Sequence, residues 1–405
     1  MVGKMLSPDA INNDYVFEEI FDAAVDLKPV IDTFQKQMEK ERRLPPELVD
    51  ILKQAGMFRM TMPKKWGGAE LDPILQIKVI EKLSEANASV GWCVMIGGDN
   101  GYFSSFLDQK TAEEMYKDVN AVTGSALSQT GRAVKVDGGY LVTGRWPFSS
   151  GCQHSSWLLA GCKVYDGDTL RLRPGNIPET RQVFLPVDAV TIHDTWYTLG
   201  LRGSGSHDFS VEKEHFVPEE RTFSFQDPKV YNPNPLYRFP MAFMFNFAAV
   251  PIGAAQAAMV ALIDAAGKGS RQVTLDGRFV PARQLREESF VQDAVGRAAA
   301  MIGAARSYLY NVVEDIWRTV QIGDQPSSKQ RAQFQSMNVQ VFGMCLDAAQ
   351  LIFKARGSSS VYSGSVLETC LRDLQTMDQH VMSSLRAYAQ SGRILMGLPP
   401  EEILL

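Results

Sequence analysis

Between Asp14 and Tyr116 apolar residues recur at intervals of three and four, as at Val16, Ile20, Ala23 and Ala24, the spacing that lines one face of a helix. Pro45, Pro46 and Glu47 open a further helix, with proline in the first turn where its missing N–H costs nothing. The run Pro63, Lys64, Lys65, Trp66, Gly67, Gly68 has the composition of a turn between helices. From about Ala121 to Phe225 the period shortens. Brief β-like runs begin at Ala133, Tyr140 and Trp157, separated by turns such as Asp137, Gly138, Gly139, and predict a compact β-domain. Beyond Pro240 four alanine-rich segments, Ala248 to Ala266, Phe290 to Trp317, Gln333 to Ala355 and Val366 to Ser391, have the length and composition of bundle helices. The pattern divides the chain into a helical domain (1–120), a central β-domain (121–228) and a four-helix bundle (229–405), an α+β architecture.

Composition narrows the function classes. With 405 residues and 45% hydrophobic content the chain can bury several substantial cores. A net charge of −5 and the absence of a concentrated basic stripe give no electrostatic footprint for nucleic acid. The five cysteines, Cys93, Cys152, Cys162, Cys345 and Cys370, are too scattered to pair as metal ligands, and their odd number argues against a disulfide framework. His154, His193, His207 and His215 form no metal-ligand spacing, so no metal is expected. Met1 to Pro8 leads into charged amphipathic sequence rather than an apolar signal core, and no stretch of about 20 apolar residues is read as spanning a bilayer. These features predict a soluble, cytoplasmic protein with no membrane partner.

Several motifs follow one another in order. Arg372, Asp373, Leu374, Gln375, Thr376, Met377, Asp378, Gln379 and His380 are followed by Val381. Gly144, Arg145, Trp146, Pro147, Phe148, Ser149, Ser150 and Gly151 come after a hairpin signal. Asp194, Thr195 and Trp196 precede Gly200, Leu201, Arg202, Gly203, Ser204, Gly205, Ser206, His207 and Asp208, with an exit at Phe216, Val217, Pro218. Together, in chain order, they resemble the acyl-CoA dehydrogenase fold, with its helical domain, central β-barrel and four-helix bundle. True dehydrogenases of that fold carry a catalytic glutamate about one residue past the position of His380. Here Val381 stands there, and a valine cannot abstract a proton. The histidine pattern is similar to the two-component flavin-dependent monooxygenases built on this scaffold.

The resemblance implies roles for individual residues. Phe148 would cover a ring face of reduced FMN or FAD, and the Ser150 hydroxyl would hydrogen-bond flavin N5. Taken alone, Trp146 and Phe148 read equally well as core residues of a strand. Ser125, in the run Val122 to Gly131, is a further candidate flavin contact or an ordinary turn serine. Arg356, Gly357 and Ser358, opening the run to Tyr362, suggest a cradle for the flavin phosphate, often supplied across a subunit boundary, or a plain interhelical loop. His380 would serve the oxygenated flavin or the substrate. Arg372 and Asp373 read as architectural, tying the last bundle helices together. Trp92 and Asp99 are candidate substrate contacts. Asp99 falls where aromatic hydroxylases of the group carry a histidine, and can act on an amine, on an indole N–H or as a general base; alternatively it caps a helix or faces solvent. Phe103, Phe106, Phe243 and Phe245 are candidates, with Trp92, for an apolar lining.

The implied activity is oxygenation of a small aromatic or heteroaromatic molecule by O2 and reduced flavin through a C4a-hydroperoxide. No glycine-rich nicotinamide-binding unit is visible, so electrons would come from a separate NAD(P)H-dependent flavin reductase. The family packs as a homotetramer through its bundle helices, and the same is expected here. The competing readings are an acyl-CoA dehydrogenase-type oxidoreductase using another base, with Glu368 the nearest candidate, an amine N-oxygenase, and a noncatalytic flavin-binding scaffold.

Overall fold

The computed structural model describes residues 13–268 and 284–399; Met1 to Pro8, read above for a signal, lies outside them. Among the described residues seven α-helices come first: α1 (Asn13–Asp26), α2 (Lys28–Glu41), α3 (Pro46–Gln54), α4 (Pro73–Ala86), α5 (Ala88–Gly97), α6 (Asn100–Ser104) and α7 (Gln109–Tyr116). Local chemistry fixes their starts. Asp72 caps α4 by accepting from the Leu75 N–H with Pro73 in the first turn, and Asn87 caps α5 through the Ser89 and Val90 amides. Every residue of α5 is buried, which explains why its sequence is apolar all round rather than along one stripe. Gly91 lets it lie against α4, since a Cβ there would come within 1.9 Å of the Ser84 hydroxyl.

Among the described residues ten strands follow: β1 (Thr123–Val136), β2 (Gly139–Ser149), β3 (Trp157–Asp166), β4 (Thr169–Leu170), β5 (Leu172–Arg173), β6 (Ile177–Pro178), β7 (Thr180–Pro186), β8 (Thr191–His193), β9 (His207–Pro218) and β10 (Thr222–Phe223). The main sheet runs β10-β7-β3-β1-β2-β9-β8, with β4 on β3, and only its β1–β3 pair is parallel. It curls around a core of its own, in which Trp146 stacks on Phe209 at 5.0 Å and donates its indole N–H to Gly161. The hydrogen-bonded path is open at β8 and β10. Between β2 and β9 the register slips from Trp146 to Ser149. That irregularity lifts the end of β2 away from the sheet, as β-bulges do where a side chain must be re-aimed.

The last helices are α8 (Ala249–Ala266), α9 (Ser289–Gln321), α10 (Ser328–Arg356), α11 (Val366–Met377) and α12 (Arg386–Leu395). Two sequence expectations are corrected here. Ala242–Ala266 is long and apolar enough to cross a membrane, contrary to the reading above; in the fold its residues are mostly buried, and α8 packs between α4, α9, α10 and α11. The fourth bundle segment is not one helix. It stops at Met377, turns through Val381–Ser383, and resumes as α12. His380 takes extended backbone angles and caps the turn with its own ring, an arrangement that helical periodicity could not reveal.

Candidate active site

Trp92 projects from the middle of α5 toward the end of β2, and its indole N–H donates to Ser150 Oγ at 2.9 Å. Ser150 Oγ lies 2.7 Å from Ser206 Oγ, which lies 2.7 Å from Ser204 Oγ. All four side chains are buried. If the hydroxyls point from Ser204 through Ser206 to Ser150, both lone pairs of Ser150 are used, by Trp92 and Ser206, and its own O–H is left to donate to a ligand. Ser204 and Ser206 carried no assigned role in the sequence reading. Their alternate spacing in Ser204-Gly205-Ser206 is the one local signal, and the pairing with Ser150 lies in the tertiary fold.

His380 closes the other side. Its ring stacks on Phe247 at 5.1 Å and meets Trp92 edge-on at 5.2 Å. Burial lowers its pKa to about 4, so the imidazole is neutral at physiological pH. Nδ1 accepts from the Met382 N–H at 3.3 Å. The proton therefore sits on Nε2, and the ring presents an N–H donor beside Trp92. Val381, next along, is 75% exposed. Glu368 does not offer a base in its place. Burial raises its pKa, but two hydrogen bonds from Arg372 and that residue's charge outweigh burial and leave it below the ordinary value.

Phe148 stands free of the sheet core, 71% exposed, at φ +62°, a left-handed conformation that an aromatic residue rarely adopts. Its ring meets Trp196 edge-on at 6.4 Å. Of the two aromatics that the strand pattern left open, Trp146 is core and Phe148 is not. Such backbone strain in an exposed aromatic two residues before Ser150 is typical of a ligand platform.

The segment 199–201 ties this platform to α11. Arg372 donates to the Leu199 carbonyl at 2.7 Å, Asp373 accepts from the Leu201 N–H at 2.6 Å, and Thr376 accepts from the Gly200 N–H at 2.8 Å. A Cβ at Gly200 would meet the Arg372 carbonyl at 2.2 Å. Arg372 and Asp373 are architectural, as expected, but they join α11 to this loop and, through Glu39 at 3.5 Å, to α2 rather than linking bundle helices to each other. Burial raises the Asp373 pKa to about 7.

The remaining candidates separate. Ser125 is a half-buried strand residue in register with Leu159, not a turn serine. Arg356, Gly357 and Ser358 lie at the far end of α11 from His380, a helix length of about 17 Å. One chain therefore does not bring them to Ser150. Asp99 neither faces solvent nor caps a helix with its side chain; it is 1% exposed. Phe103, Phe106 and Phe243 join Phe223 and Phe225 in an aromatic core, and Phe245 packs on Phe239 and Phe334. Phe247, unassigned by sequence, lines the site instead. Of two surface cavities, of about 510 and 610 Å³, the second is lined in part by Phe106, and neither is lined by Trp92, Phe148, Ser150, Phe247 or His380.

The N-terminal and C-terminal domain models of acyl-CoA dehydrogenase match residues 24–117 and 245–385, together more than half of the chain. The oxygenase subunit HsaA of a flavin-dependent monooxygenase from Mycobacterium tuberculosis is 29% identical over 94% of this chain and 96% of its own. Indole-3-acetate monooxygenase from Pseudomonas putida is 27% identical over 90% of each. The crystal structure of 3-HSA hydroxylase from Rhodococcus sp. RHA1 superimposes with a TM-score of 0.86 at 26% identity, covering 96% of this chain and 99% of that one.

Proposed function

The chain belongs to the acyl-CoA dehydrogenase family, and we propose that within it the protein is the oxygenase of a two-component flavin-dependent monooxygenase acting on a small aromatic or heteroaromatic substrate. One observation carries the choice of oxygenase over dehydrogenase. Where a proton-abstracting carboxylate would be needed, the chain presents the neutral imidazole of His380 followed by Val381, and the nearest alternative, Glu368, is tied up by Arg372. The relatives' names, flavin-dependent monooxygenase and indole-3-acetate monooxygenase, agree with that choice.

The residues present fit a reduced flavin, FMN or FAD. The fit rests on Phe148, held exposed at positive φ, and on Ser150, whose O–H is free to donate when Ser206 donates to it. Bound reduced flavin activates O2 and supplies the oxygen atom for transfer. Phe148 would cover a face of the ring, and Ser150 would donate to a ring nitrogen. His380 Nε2–H would donate to the oxygen being transferred or to the substrate, staying uncharged because its pKa lies near 4. Trp92 and Phe247 would exclude water. Ser125 would be a secondary flavin contact. Arg356, Gly357 and Ser358 would reach the flavin phosphate of a neighbouring subunit, a role that fits their separation from Ser150 and a homotetramer. Exposed Leu385, Tyr388, Leu395 and Met396 around α12 offer apolar surface for that assembly. The term oxygenase subunit in the relative's name supports a partner flavin reductase.

Purified protein given NADH and flavin alone should consume negligible O2, and addition of a generic flavin reductase should start turnover over a panel of phenols, indoles and amines, with products identified by mass. Rapid NADH oxidation by this chain unaided would count against the two-component reading.

A further inference from the structure

Asp99 lies seven residues beyond Trp92 on backbone that stays near helical through Gly98 and Asp99, which returns it to the same face of α5 about 10 Å further along. That face looks onto Phe247 and His380. The Asp99 carboxyl is 1% exposed, makes no capping bond, and its Oδ1 is buried with no partner. A second orphan lies on the segment that carries Phe247. Asn246, directly before Phe247, donates its amide to Gln76 Oε1 at 2.9 Å, and Gln76 is itself oriented by bonds to the Leu71 carbonyl and the Tyr102 hydroxyl. The Asn246 Oδ1 therefore points away from that network, buried and unpartnered. Tyr102 is three residues after Asp99, closing a ring of contacts through Gln76 and Asn246 back to Phe247.

Asp99 Oδ1 and Asn246 Oδ1 are both buried without a partner on the segments that carry Trp92 and Phe247 to the site, and an occupant reaching them would supply what they lack. Among the described residues no cation contacts the Asp99 carboxyl, and no N–H or O–H donates to it. An ionised carboxylate so placed would be costly by several kcal/mol, whereas a carboxylic acid is tolerated and can donate one hydrogen bond. Burial raising the Asp99 pKa well above the carboxylate range agrees with this. We propose that Asp99 is a specificity-determining residue that, as an uncharged acid, donates a hydrogen bond to an acceptor on the far end of the substrate, so that the site takes uncharged aromatic molecules bearing such an acceptor and rejects cationic amines. Asn246 Oδ1 offers an acceptor to the same end of the molecule. The assignment rests on the flavin site proposed above and selects among its possible substrates.

Acetophenone, ethylbenzene and 1-phenylethylamine share a shape and differ in offering an acceptor, nothing polar, or a cation. Their binding to the flavin-loaded protein can be read from the flavin absorbance, alongside infrared difference spectra of the parent minus Asp99→Asn. The parent should prefer acetophenone by roughly tenfold, Asp99→Asn should keep that preference through its amide donor, and Asp99→Leu should lose it. The infrared difference should contain the carbonyl band of a protonated carboxyl that shifts in D2O. Preference for the amine, absence of any preference in the parent, an unchanged ranking in Asp99→Leu, or absence of the carboxyl band would each overturn the proposal. The infrared band needs no flavin, so failure of flavin to bind while the band is present would count against the flavin site and not against the uncharged state of Asp99.

Discussion

Replacing Ser150 by alanine removes a single oxygen, and the structure says what that oxygen holds. Trp92 Nε1–H loses its acceptor at 2.9 Å in a place where the indole is 5% exposed, while Ser206 keeps Ser204 at 2.7 Å. The stranded indole donor sets the cost, about 1–3 kcal/mol. Trp92→Phe alone leaves Ser150 satisfied by Ser206 and should cost mainly trimmed ring contact, about 1 kcal/mol. With both changes no indole donor is stranded, and the loss of Ser206's partner is common to both Ser150 variants, so the double variant should be more stable than additivity requires by about 1–2 kcal/mol. Urea midpoints of the flavin-free proteins, compared at equal slope, give the coupling energy. In the flavin-loaded protein the same Ser150→Ala change should raise peroxide released per O2 consumed, because the ring donor is gone. Strictly additive stabilities would refute the Trp92–Ser150 bond and with it the inference that Ser150 is left only a proton to give.

Three further outcomes follow from the same geometry. His380→Ala should leave flavin affinity within a few-fold while product per O2 consumed falls by about 10²-fold or more, measured by quantifying product and peroxide together; unchanged coupling would remove His380 from the chemistry. Phe148→Gly should relieve backbone strain of about 1–3 kcal/mol, raising the melting temperature of flavin-free protein while weakening flavin binding in titrations; tighter or unchanged binding would mean Phe148 is no platform. Because the His380 pKa falls from 6.5 to about 4 on folding, the unfolded chain binds the extra proton in that window, so the parent's stability relative to His380→Phe should rise from pH 4 to pH 6.5 and level above it. A flat difference across chemical denaturations at those pH values would show that His380 is not buried as a neutral ring.

Order and period made much of the fold legible. Helical spacing before Tyr116, alternation after Ala121 and alanine-rich segments after Pro240 are local signals, and the helices and strands appear where they point. The break after Met377 was not legible, since Val366 to Ser391 keeps a helical composition and the interruption is made by His380 turning its ring onto the Met382 amide. At the site, motifs singled out Ser150 and His380. The Trp92–Ser150 bond spans 58 positions, and the Phe247 stack on His380 likewise belongs to tertiary packing. Phe148 and Trp146 look alike in the strand pattern; only the register slip after Trp146 separates a core ring from an exposed one. Asp99 stands out in the sequence as a substrate contact, and the alternative of a cap or surface residue rests on its flanking glycines; those glycines instead let its helix end pack closely: a Cβ at Gly97 would lie 2.7 Å from Phe58, and one at Gly101 1.8 Å from the Thr61 carbonyl.

The most direct test of the central claim is a turnover experiment under ¹⁸O2 with a separate flavin reductase, NADH and an aromatic substrate from the screen, with product analysed by mass. The account predicts one labelled oxygen atom per product molecule and no product when either O2 or the reductase is withheld. Unlabelled product, or reduction of bound oxidised flavin by an acyl-CoA thioester without O2, would contradict it and return the chain to dehydrogenase chemistry.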